Sequence, residues 1–239
     1  MQDVPPDNEA ADTVAPDPSK RKRRRGQRLT PAELAELPPG PAPGAGTLRN
    51  AALAHLARYS TTEIGLVRVL DRRIQRWASR AVTFGDAPDR VAELAAAARA
   101  AARLVATSMV ASGVVDDAAY AAARARSLTR SGRSRRVIGA HLAQRGIDPD
   151  LAAASLSDDA DTELAAALTQ ARRRRIGPFG DPDVQSADEA GDDPLAEARV
   201  RNRALGALAR AGFSRDVAER ALSTDREEAD RLILHLKRL

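Results

Sequence analysis

The chain has 239 residues, no cysteine and few aromatics (3%), so disulfides and thiolate metal sites are excluded and any core must be built from Leu, Ile, Val and Ala. Alanine, arginine and leucine dominate, which favours helix strongly and leaves little with which to fill a thick globular core. The net charge of +5 is uneven: residues 1–45 are neutral, residues 46–176 carry 21 arginines against 13 acids, and residues 177–239 have a net charge of −3, so an acidic polymer or protein face is the natural partner of the middle.

Residues 1–45 read as a disordered basic and Pro-rich tail. It runs from "PPDNEAADTVAPDPS" through the cationic block "KRKRRR" to the linker "PPGPAPGAG". From Thr47 the pattern is helical. "LRNAALAHLARY" puts Leu48, Ala52, Leu53 and Leu56 on one face. Ser60 and Glu63 then stand at capping-box spacing. The next helix carries Ile64, Val67, Leu70, Ile74 and Trp77 on a stripe, with Arg68, Arg72, Arg73 and Arg76 mostly away from it. "TFGDAP" breaks the chain before a long helix from about Pro88, whose buried side should hold Val91, Leu94, Ala98, Ala101, Val105 and Met109. Gly113 ends it.

Asp116 predicts the N-cap of the following helix, and Asp117 suits its positive end. Gly132 closes that helix, Ser134 caps "RRVIGAHLAQR", and Gly146 stops it. Asp148 caps the next helix, with Pro149 at its first position. Asp158 or Asp161 should open "TELAAALTQARRRRIG". An acidic flexible loop, 177–194, precedes three further helical segments.

Placed 66 residues apart, "HLAQRGIDPDLAAASL" and "ALARAGFSRDVAERAL" match at Leu142/Leu208, Gly146/Gly212, Ile147/Phe213, Ala152/Ala218 and Leu156/Leu222. "HLARYSTTEIGLVRVL" has the same logic, with Ser60 in the place of the glycine. The expected organisation is an all-α chain of tandem three-helix repeats at 46–112, 113–176 and 195–239, each stabilised by its neighbours.

These residues resemble the RecX family, regulators of the bacterial RecA recombinase. The likeness rests on "SGVVDDAAYA" with Gly113, Asp116, Asp117, Tyr120 and Ala121, then Gly132, Ile138, Leu142, Arg145, Gly146 and Ile147. "ARYSTTEIGLVRVLDRR" looks like the family's first repeat and "LARAGFSRDVAERAL" like its last, so about residues 47–239 are covered. The resemblance implies an elongated, curved array of three-helix repeats. It also implies binding to the RecA filament on DNA, usually with inhibition. The tail 1–45 has no counterpart in the family's core, and the loop 177–194 is longer than a tight junction needs.

No catalytic constellation is visible. His55, His141 and His235 sit in separate segments, and no phosphate loop matches the Walker pattern, so neither enzyme activity nor a cofactor is expected. The paired Asp116 and Asp117 at a helix start read as caps. The best functional candidates are Arg124, Arg126, Arg130, Arg133, Arg135, Arg136 and Arg145, with no acid between 118 and 147. Successive turns are expected to carry them along a shared outer surface facing phosphates or carboxylates. Secondary basic strips are Arg68, Arg72, Arg73 and Arg76, and Arg172, Arg173, Arg174 and Arg175. The expected partner is the RecA filament, with single-stranded DNA met indirectly or by weak phosphate contacts. The alternative is a non-sequence-specific DNA-binding protein. No run approaches the roughly 18 apolar residues of a membrane span, and the N-terminus lacks a secretory h-region, so a monomeric cytoplasmic protein is expected.

Overall fold

The computed structural model describes residues 37–180 and 196–238, and their regular elements are all helical. Most of the tail, and the acidic loop from residue 181 to its end, lie outside the described residues.

The first trio is α1 (Ala45–Leu56), α2 (Glu63–Thr83) and α3 (Pro88–Ala111). Its core joins Leu48 and Ala52 of α1, Leu66, Leu70 and Ile74 of α2, and Ala95, Ala98, Ala102, Ala106 and Met109 of α3. Small alanines let α3 lie close along α2, and each fully buried Leu or Ile contributes about 1.5–3 kcal/mol. The expected stripe is corrected at its start: Leu66 is buried, whereas Ile64 is 43% exposed. Leu53 is likewise exposed, and Trp77 is half-buried, its indole N–H donating to the Gly40 carbonyl at 2.9 Å. Contrary to the expectation of no membrane-length run, α3 is long and apolar enough to cross a bilayer by length and composition alone. The run is largely alanine, and one side of it is buried against the rest of this core.

The second trio is α4 (Asp117–Arg130), α5 (Arg135–Gln144) and the short α6 (Pro149–Ala154). Ala121, Ala125, Ile138, Leu142, Ile147 and Ala152 form its core, flanked by Tyr120 and Leu128. The C-terminal core holds α7 (Ala160–Arg174), α8 (Ala196–Arg210), α9 (Arg215–Ser223) and α10 (Arg226–Arg238). Thus α7, expected in the repeat 113–176, buries Leu164, Leu168 and Ala171 together with Leu208, Phe213, Ala218, Ile233 and Leu236. The loop's first residues, Gly177–Phe179, make a 3-10 turn that delivers Phe179 to the same core.

Capping follows the sequence at Asp116, Ser134 and Asp148, whose side chains accept backbone N–H bonds in the first turns of α4, α5 and α6. Two caps differ. Thr62, not Ser60, caps α2, accepting from the Gly65 amide at 2.9 Å. Asp159, rather than Asp158 or Asp161, caps α7, and its bonds to Thr162 hold its carboxyl below the ordinary range. Several residues here satisfy cap spacing, and only the one with extended backbone at the helix start can serve.

The trios are joined by one device used twice. The buried Thr62 hydroxyl donates to the Arg145 carbonyl at 2.7 Å, and the buried Ser134 hydroxyl donates to the Ala211 carbonyl at 2.9 Å. Each hydroxyl therefore caps its own helix and ties the next trio. Beside each bond lies a glycine with positive φ, Gly146 at 80° and Gly212 at 92°. A Cβ on Gly146 would lie 2.5 Å from Ile64 Cδ1, and one on Gly212 would lie 3.0 Å from Val137 Cγ2. That contact is why Ile64 turns away from its own core. A second bond accompanies each joint. The Glu63 amide donates to Asp117 at 2.9 Å, and the Arg135 amide donates to both oxygens of Glu163 at 3.2 Å.

Candidate functional site

A helix advances 100° per residue, so Arg124 and Arg126 leave α4 on nearly opposite sides, while Arg126 and Arg130 share a row. The structure follows this, and the shared outer surface expected for all seven arginines does not exist. Arg126 and Arg130 line a cleft of about 110 Å3 with Ser155, Ser157 and Thr162. Arg124 points toward α5, its Nε–H donating to His141 Nε2 at 3.1 Å. Arg135 is paired with its own chain at the surface, with a guanidinium nitrogen 2.5 Å from Asp158 Oδ1. Arg136 lies beside the Gly212 turn. Among the described residues Arg126, Arg130, Arg133, Arg136 and Arg145 are exposed and form no ion pair.

Tertiary packing makes a different cluster. Arg68 of α2 donates to the Gln144 carbonyl at 2.8 Å, which brings it to the C-terminal end of α5 next to Arg145. Arg124 and Arg145 both act on His141 in the same place. Thus Arg68, Arg124 and Arg145, drawn from two trios, gather around one negative helix end. From Arg68 the row continues along α2 through Arg72 and Arg76 at four-residue steps, with Arg73 to one side. All of these except Arg124 are exposed, and none has a carboxylate partner among the described residues. Arg145 and the α2 strip, which sequence separated, therefore form one cationic ridge across the first joint. The missing signal was non-local, because α2 meets the end of α5 through bonds between residues far apart in the chain, Thr62 to Arg145 and Arg68 to Gln144.

Burial, followed by the charges of Arg124 and Arg145, holds the His141 imidazole below its ordinary value, so it is neutral near pH 7 and accepts through Nε2. Asp116 caps α4, and Asp117 accepts from the Glu63 amide. Burial also pushes the Asp117 carboxyl up, against that hydrogen bond. Arg172 bonds Asp230 at 3.4 Å and stacks over Phe179. Arg173, Arg174 and Arg175 are exposed beyond it, with Arg175 in the left-handed region at φ 53°. No group of three His, Asp or Glu side chains suited to a metal occurs among the described residues.

Residues 116–156, the span of α4 to α6, match the profile of the RecX second three-helix domain. The chain is 36% identical over 182 residues to the regulatory protein RecX of Myxococcus xanthus, covering 74% of this chain and 85% of that one. It is 30% identical over 119 residues to the regulatory protein RecX of Agrobacterium fabrum, covering 50% of this chain and 57% of that one. The crystal structure of RecX from Lactobacillus salivarius aligns with a TM-score of 0.46 at 16% identity, over 78% of this chain and 97% of that one. Another RecX crystal structure gives 0.48 at 16% identity, over 83% and 80%. With a relative this similar over most of its length, and with the domain profile falling on the second trio, the chain belongs to the RecX family of regulatory proteins.

Proposed function

We propose that this protein regulates the RecA recombinase, mostly as an inhibitor, by lying in the groove of the RecA filament on DNA during recombinational repair and the SOS response. Its place of action is then the cytoplasm, where that filament forms. Family membership supplies the target, and the observation that carries the surface is the ridge Arg145–Arg68–Arg72–Arg76, whose guanidinium groups pair with no carboxylate among the described residues. Contacts to successive filament subunits are multivalent, so the polymer is bound more tightly than a free subunit. Regulation needs no chemistry from this chain: it occupies a site that subunit addition, DNA pairing or ATP turnover requires.

The test is titration of purified protein into preformed RecA–DNA filaments. Suppression of the DNA-dependent ATPase and of strand exchange at substoichiometric amounts is expected. Unchanged ATPase, strand exchange and filament length reject the reading. The double variant Arg68→Ala, Arg145→Ala is expected to bind about tenfold more weakly, roughly 1.4 kcal/mol of charge-assisted bonding, with a shallower salt dependence.

A second reading, direct binding of DNA through phosphates, is favoured by the same unneutralised arginines. Sequence-specific readout is not, because α6 offers Pro149, Asp150, Leu151 and three alanines where base edges require Arg, Asn or Gln. Comparing affinities for naked and RecA-coated single-stranded DNA over a range of salt separates the two.

A further inference from the structure

In the first two trios, and in the C-terminal core, the second helix ends in the same turn. The glycine amide bonds back three residues, Gly85 to Val82, Gly146 to Ala143 and Gly212 to Ala209. The next amide bonds back five, Asp86 to Ala81, Ile147 to Leu142 and Phe213 to Leu208. In the second trio and the C-terminal core the carbonyl before the glycine, that of Arg145 or Ala211, accepts a hydroxyl from the preceding trio, and an aliphatic side chain sits on the glycine. In the first trio the turn has no such cover. Gly85 has nothing within 4 Å of its Cβ position, and the Phe84 carbonyl accepts no hydrogen bond among the described residues.

The side chains at this turn differ in the direction that a free docking face requires. At the covered turns the two corresponding positions are Ala143 and Arg145, or Ala209 and Ala211. At the open turn they are Val82 and Phe84, and both large apolar side chains are 43% exposed. The carboxylate that completes each internal joint has no equivalent here, since the first turn of α1 holds no acid. The open turn therefore offers a bare carbonyl, a glycine floor and two apolar walls.

We propose that the Phe84–Gly85 turn docks the start of a helix from another protein, one opened by a Ser or Thr cap with an aliphatic side chain two or three residues on. The internal joints define that occupant. Thr62 with Ile64 covers one turn and Ser134 with Val137 covers the other, so the same backbone geometry selects a hydroxyl to meet the carbonyl and a branched side chain to cover the glycine. The contact is small and relies on no arginine, so it stands or falls separately from the filament-binding ridge.

The probe is a fluorescent peptide copying residues 60–71 of this chain, the segment that covers the Gly146 turn. The internal turns are already filled intramolecularly, at effective concentrations that a free peptide does not reach. Saturable binding to the full chain with a Kd below about 1 mM is expected by fluorescence anisotropy. Phe84→Asp and Val82→Asp should each weaken it at least about tenfold with unchanged circular dichroism, because neither side chain belongs to the buried core. A peptide with Ile64→Asp should lose binding similarly. Absence of saturation, or equal affinity for Phe84→Asp, overturns the proposal. If the wild-type chain sediments as a dimer that Phe84→Asp dissociates, the occupant is a second copy and the assignment to another protein is wrong.

Discussion

Thr62 and Ser134 are buried polar side chains, and each stays satisfied only because it works in two directions. Thr62→Val removes the Gly65 cap acceptor and leaves the Arg145 carbonyl without a donor, so a loss of about 2 kcal/mol is expected from urea or thermal denaturation. His141 gives a second consequence at this scale. Its pKa is lowered in the folded state from the ordinary 6.5, so the unfolded chain binds more protons between the two values. Its contribution is therefore fully present above about pH 6.5 and is lost as pH falls through that window. Protonation would also place a cation between Arg124 and Arg145 and remove the acceptor for Arg124. The thermal midpoint of wild type should fall on acidification across that window, while that of His141→Gln stays flatter. Parallel curves would remove His141 as the cause.

At the scale of elements, what was legible in the sequence was what is local. Gly113, Gly132, Gly146 and Gly212 mark helix ends because positive φ suits glycine there, and Asp116, Ser134 and Asp148 mark starts because their oxygens meet first-turn amides. What was not legible is what depends on docking. Ser60 resembles a cap as well as Thr62 does, and it is Thr62 that has the extended backbone at the helix start and also meets the Arg145 carbonyl. The helical angle alone separates Arg124 from Arg126 and Arg130, yet the pairing of Arg135 with Asp158 and of Arg68 with the end of α5 comes from contacts 23 and 76 residues apart in the chain. The match of "HLARYSTTEIGL" to "HLAQRGIDPDL" was misleading in role: the first joins first and second helices, the other joins second and third. Glycine replacement separates the two costs of the joint. Gly85→Ala meets only unfavourable φ, about 1–2 kcal/mol, whereas Gly146→Ala adds collision with Ile64 and should cost more, near 3 kcal/mol in the same denaturation experiment.

For the whole molecule, separate apolar cores linked by hydroxyl–carbonyl joints mean that cooperativity passes through a few contacts between neighbours. Trp77 is the single tryptophan and reports on the first trio, while circular dichroism reports on every helix. The two signals should follow one urea transition in wild type. In Ser134→Ala the circular dichroism curve should broaden and depart from the fluorescence curve, because the C-terminal core is uncoupled from the second trio. Coincident curves in that variant would show that the remaining bonds, such as Arg135 to Glu163, carry the coupling by themselves.

The two joints are built from interchangeable parts, and this bears on how such a chain can grow. Tandem duplication of the middle unit would set Ser134 of one copy against Arg145 and Gly146 of the next, and the Arg135 amide against the next Asp117, every partner already being of the required kind. A longer version is thus one recombination event away, needing no new residue at the seam. Lengthening by anything other than an entire unit would leave a buried hydroxyl facing nothing.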